Sequence, residues 1–206
     1  MLAGLTAEED LKEPLKESMK KRMPWLIVLL GLGMVVSSVV GVFENVVTQL
    51  PIIMAFQSLI LDMAGNVGTQ SLAVTIRVLM DESLTGKQKL ELVFKEMKIG
   101  LCNGGVLGLM SFALIGLYIY IIKGKTLIFA YAVSGCIGLS LLLAMLISSA
   151  VGTCIPLFFK KIHIDPAVAS GPLITTINDL VAVISYYGLS LSLIHISEPT
   201  RLALIS

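Results

Sequence analysis

Long apolar runs interrupted by short charged clusters set the layout of this chain. No Asp, Glu, Lys or Arg occurs between Trp25 and Phe43, and only Asp62 falls between Val46 and Ile76. About 18 nearly uncharged apolar residues suffice to cross a bilayer core of about 30 Å. The pattern predicts five spans, at 25–43, 51–79, 99–122, 127–159 and 167–194. The expected fold class is an all-α integral membrane protein with five transmembrane helices per subunit, seated in a lipid bilayer. The fourth run is long enough to be tilted, kinked or partly outside the membrane. In the second, a straight helix from Pro51 to Arg77 would run about 39 Å, which leaves length for a break.

The flanks read differently. The segment TAEEDLKEPLKESMKKRMPW, within a cytoplasmic region 1–23, has Leu11, Leu15, Met19 and Met23 at four-residue spacing and Pro14 at a position suited to a helix start. Its acids come first and its bases last, which complements a helix dipole. This predicts a short amphipathic helix, either lying in the interface ahead of the first span or serving as a cytoplasmic gate. It is too charged for an ordinary signal peptide, so the first span is read as retained. Region 24–194 is the transport domain of five helices. Region 195–206, HISEPTRLALIS, breaks the pattern, resembles translated adapter sequence, and is set aside as non-native or disordered.

Composition narrows the class. Of 206 residues 56% are hydrophobic and 14% charged, against about 25% charged in a soluble domain. A net charge of +1 without a basic patch gives no reason to expect a nucleic-acid partner, and no protein partner other than self is inferred. Lys and Arg divide twelve to three between the two sides of the predicted topology. The positive-inside bias then places the N-terminus in the cytoplasm and the C-terminus outside, in the cell membrane. Cys102, Cys136 and Cys154 lie in apolar surroundings without a CxxC pair and read as small packing residues.

Three acids lie in or beside the spans: Glu44, Asp62 and Asp179. An acid at the centre of a membrane helix costs about 2.5–3.5 kcal/mol on insertion scales, so it faces a cavity or a partner. Asp62 is about 16 Å into its span from Pro51, and Asp179 about 20 Å in from Pro166. Both reach the midplane, from opposite directions, with no Lys, Arg or His at that depth. Asn66, Thr69 and Gln70 follow Asp62 roughly along one helix face, and Gly65 and Gly68 permit unwinding or close backbone approach. Gly171, Thr175 and Asp179 recur at four-residue steps, with Pro172 freeing carbonyls beneath them. Carboxylate, amide, hydroxyl and carbonyl oxygens are hard ligands that suit magnesium or calcium. Ser37, Ser38, Ser148 and Ser149 read as helix-packing positions.

The strings DMAGNVGTQSLAVTIR (62–77) and DPAVASGPLITTINDLVAVISYYG (165–188), with VFEN (42–45), resemble the transmembrane domain of the MgtE family of magnesium transporters. The resemblance covers 24 to about 193. It implies five helices per subunit, a homodimer with its ion pathway at the subunit interface, and an aspartate on the last helix that binds Mg2+ with its water shell, matched here by Asp179. It also implies that Gly171, Thr175, Gly65 and Thr69 line the site; many relatives carry asparagine where this chain has Gly171 and Thr69. Typical members add an N-terminal helical domain and paired CBS domains that sense cytoplasmic magnesium. Only 24 residues precede the first span here, as in a short family form or a fragment of a longer one, and that sensing mechanism is not carried over.

The expected function is magnesium transport through an aspartate-lined pore that binds hydrated divalent cations. A sodium- or proton-coupled divalent-cation exporter is the alternative, since broken helices at the midplane suit such folds. An intramembrane aspartyl protease is more remote: neither aspartate sits in a YD or GxGD sequence, and HExxH and GxSxG are absent. The chain is not expected to be an enzyme.

Overall fold

The computed structural model describes residues 14–49, 51–81, 84–163 and 171–203. Six helices follow in order: α1 (Leu15–Val42), α2 (Glu44–Gln49), α3 (Pro51–Asp81), α4 (Gly86–Ile121), α5 (Leu127–Lys161) and α6 (Gly171–Ala203). All but α2 contain a stretch long and apolar enough to cross a membrane, which gives the five spans expected of an all-α membrane protein.

The helices extend beyond the apolar runs. Pro14 takes the N-cap position of α1, and the helix passes through Pro24 without a break, so the amphipathic residues from Leu15 onward continue directly into the first span. A proline there removes one N–H and leaves the Lys20 carbonyl without its intrahelical donor. Lys20 is exposed, where water can supply the bond. Residues 1–13, which include the start of the predicted amphipathic segment, lie outside the described residues. Similarly, the charged stretch before the third span is mostly helix: Thr85 and Gln88 form a reciprocal capping box that starts α4 at Gly86. A charged run reads as a loop only when its caps are overlooked. The predicted start of the fifth span at Ala167 is outside the described residues; α6 begins at Gly171.

Helix α5 is the centre of the bundle, packed on α3, α4 and α6. Its buried face is rich in small residues, including Ser134, Gly138, Ser140, Ala144, Ser148, Ser149, Gly152 and Thr153. In a bilayer, apolar burial does little to drive helices together, and small residues that let backbones touch take over that role. At the α4–α5 crossing Gly108 and Gly138 face each other so closely that a methyl on either would lie 2.7 or 2.6 Å from the other's carbonyl oxygen. Ser148 and Ser149 are packing residues as expected, while Ser37 and Ser38 are exposed on α1. Helix α1 buries none of its residues and rests lightly against α6. Helices α3 and α4 scarcely touch, which leaves a cleft between them over α5.

Aromatic side chains fasten α6 to the Pro51 end of α3. The Tyr186 hydroxyl donates to the Ile53 carbonyl at 2.7 Å, and the Tyr187 hydroxyl to Gln57 Oε1 at 2.7 Å. Phe43, at the α1–α2 junction, stacks on Tyr187 with centroids 5.5 Å apart.

Candidate functional site

Helices α3 and α6 run antiparallel, and their register follows from two small contacts. A methyl built on Gly65 would sit 3.6 Å from Thr175 Cγ2, and one on Gly171 would sit 3.9 Å from Thr69 Cγ2. One turn beyond the Gly65–Thr175 contact, the same register carries Asp62 on α3 and Asp179 on α6 to one height. Asp62 is exposed and Asp179 half-buried. Four of the expected lining residues, Gly65, Thr69, Gly171 and Thr175, therefore meet in one seam beneath the two aspartates.

The threonine hydroxyls in this seam have used their protons. Thr69 Oγ1 donates to the carbonyls of Gly65 and Asn66, at 3.0 and 2.9 Å. Thr175 Oγ1 donates to the Pro172 carbonyl at 3.0 Å, and Thr176 Oγ1 to the same oxygen at 2.8 Å. A hydroxyl that donates back into its own helix offers only lone pairs to what lies outside. Lone pairs and carboxylates together favour a cation.

Several expectations change here. Helix α3 is continuous from Pro51 to Asp81, so Gly65 and Gly68 do not unwind it. They serve the other purpose of a glycine, close approach. Pro172 likewise leaves α6 unbroken over its described residues, Gly171–Ala203. Nor do the polar residues after Asp62 share one face. Gly65, Gly68 and Thr69 turn to α6, whereas Asn66 and Gln70 line the cleft toward α4. Asn66 Nδ2 donates to Asp62 Oδ2 at 3.2 Å. Glu44 is exposed in the first turn of α2 and bonds to no residue of the seam among those described.

Sequence reading passed over Asn178. Its side chain is fully buried, its Nδ2 lies 3.4 Å from the Ala64 carbonyl, and its Oδ1 has no partner among the described residues. It rests against Gly68, whose carbonyl in turn meets Gly152 of α5. The signal was available: a carboxamide beside a membrane aspartate has no reason to face lipid.

Five helices long enough to span a membrane, with a polar seam between two antiparallel ones, define a polytopic helical membrane protein. Residues 57–189 match the MgtE family, described as divalent cation transporters, and the chain belongs to that family. Among its relatives is the magnesium transporter MgtE of Enterococcus faecalis, 38% identical over 189 residues, which are 92% of this chain and 40% of that protein. The magnesium transporter MgtE of Bacillus subtilis is 37% identical over 85% of this chain and 37% of its own length. That of Thermus thermophilus is 30% identical over 82% of this chain and 35% of its own. The chain thus spans about two fifths of the length of these relatives. The family consists of transporters, in agreement with the reading that this is not an enzyme.

Proposed function

We propose that this chain carries magnesium ions across the cell membrane along the α3–α6 seam, with Asp179 as the central ion-binding residue. The observation that carries the reading is the register of the seam. Gly65 against Thr175 and Thr69 against Gly171 bring two membrane-depth aspartates to one height above a floor of hydroxyl acceptors. The names of the relatives, all magnesium transporters, agree with it.

Magnesium sheds its water reluctantly and keeps several waters when bound. The ion then meets Asp179 and the threonine oxygens through its hydration shell, with Asp62 and Asn66 beside the path. Glu44, at the other end of the α2–α3 corner, lies nearer an entrance. A single α6 encloses little of such a path, so two copies of the chain line it about a two-fold axis. The N-terminus lies in the cytoplasm, by the twelve-to-three charge bias.

Magnesium flux into proteoliposomes tests the reading. Uptake down the magnesium gradient alone, unchanged by sodium or pH gradients, is expected. Flux that requires either gradient would replace the channel with a coupled transporter, and no magnesium flux at all would overturn the assignment of cargo.

A further inference from the structure

On the far side of α3 from the seam, the gap between α3 and α4 is a cleft of about 460 Å3, floored by Met145 of α5. Its polar lining is three carboxamides: Asn66 and Gln70 on α3, and Asn103 across from them on α4. All three side chains are exposed, and neither Gln70 nor Asn103 has a hydrogen-bond partner among the described residues. The cleft lies within two spanning helices: Gln70 is about 16 Å along α3 from its Asp81 end. Carboxamides turned toward lipid at that depth would go without partners, which a bilayer does not tolerate. Hydrocarbon is therefore the wrong filling, and these amides call for water or a polar ligand.

Charge selects among ligands. Asn66 spends one of its two side-chain N–H donors on Asp62 Oδ2, and its side-chain oxygen accepts no bond among the described residues and is free to face the cleft. The nearest formal charge along α3 is Asp62, about 6 Å from Asn66, against about 16 Å for Arg77. Along α4, Lys98 and Glu96 lie about 8 and about 10 Å from Asn103 and oppose each other in sign, so Asp62 sets the balance. Acceptor oxygens backed by a carboxylate attract a cation. Neutral amides do not strip magnesium of its water, and the volume agrees with a hydrated ion: six waters at about 30 Å3 each need about 180 Å3.

We infer that the α3–α4 cleft is a second, lateral site for a hydrated divalent cation, held through water by Asn66, Gln70 and Asn103. It opens toward α4 where the seam faces α6, shares only the Asn66–Asp62 pair with the proposed path, and does not depend on Asp179. Its affinity is weak, because no carboxylate touches the ion directly, and it concentrates cations in the half of the membrane nearer the α3–α4 loop.

Manganese serves as the probe, counted by its electron paramagnetic resonance signal on the protein in lipid nanodiscs. Asp179→Asn is expected to keep a bound manganese ion. Adding Asn103→Leu should weaken that remaining site about tenfold, and so should Gln70→Leu. Both leucines suit a membrane helix, and the melting temperature of each variant checks the fold. If one of them unfolds the protein, the other decides. Equal manganese binding with and without the leucines would overturn the inference, as would complete loss of binding in Asp179→Asn alone. Failure of the seam reading looks different: it leaves magnesium flux intact in Asp179→Asn.

Discussion

The side-chain amide of Asn178 rests on the backbone of Gly68, and a methyl on Gly68 would take the place of its nitrogen. On the other side, a methyl on Gly152 would strike the Gly68 carbonyl. Three helices, α3, α5 and α6, thus cross at a point that admits no added carbon, one residue from Asp179. Substituting Gly68→Ala or Gly152→Ala should destabilise the protein by about 1–3 kcal/mol, the usual cost of overpacking. Gly41→Ala, where a methyl meets nothing within 4 Å, should stay within about 0.5 kcal/mol. Unfolding in mixed micelles measures all three. Equal stability of Gly68→Ala and Gly41→Ala would mean that the crossing is looser than described.

Tyr186 offers a second test of how α6 is held. Its hydroxyl donates to the Ile53 carbonyl at 2.7 Å in a fully buried setting. That carbonyl also serves the α3 backbone ladder, so Tyr186→Phe removes one bond without orphaning its partner. A loss of about 0.5–1.5 kcal/mol is expected, toward the lower end because interhelical bonds in membranes average about 0.6 kcal/mol. The same unfolding assay reads it. No change would show that the bond contributes nothing net.

Much of this architecture was legible because insertion into a bilayer writes itself into composition. The uncharged runs located all five spans, and the lone acids at depth pointed to α3 and α6. What stayed hidden depends on azimuth and on contact. Reading Asn66, Thr69 and Gln70 as one face was a matter of tens of degrees around a helix axis. Only neighbours settle it: α6 takes Thr69, and the α4 cleft takes the two amides. Glycine is ambiguous for a related reason, since the residue that permits unwinding also permits close packing. Gly68 became the second because Asn178 and Gly152 press on it, and no local pattern foretells a crossing of three helices.

The charge bias makes a topological prediction. Lys87 lies in the first turn of α4 and Lys125 in the turn before α5, and both are exposed. In a chain freed of its own three cysteines, Lys87→Cys should be labelled by an impermeant thiol reagent only from the cytoplasmic side. Lys125→Cys should be labelled only from outside. Lys125 is preferable to its neighbour Gly124, whose φ of +61° would strain any side chain. Labelling of both from one side would cancel the assigned orientation.

Asp179 bears the greatest weight in the proposed pathway. It is half-buried on α6, one turn beyond Thr175, at the height of Asp62 on the neighbouring helix. Two copies of the chain about a two-fold axis would bring a second Asp179 toward the first. Carboxylates drawn together repel each other, strongly where water is scarce, and a hydrated divalent cation between them turns that repulsion into attraction. Asp179→Asn keeps the shape of the side chain and removes the charge. Magnesium flux in proteoliposomes should then fall at least about tenfold, equivalent to about 1.4 kcal/mol, while the melting temperature stays near that of the parent. Asp62→Asn should cost less, because Asp62 already shares its charge with Asn66 through a hydrogen bond and stands on the exposed side of α3. The two variants are to be compared in one flux assay, with melting curves alongside. Near-normal flux in Asp179→Asn would remove it from the centre of the site, whatever Asp62→Asn does.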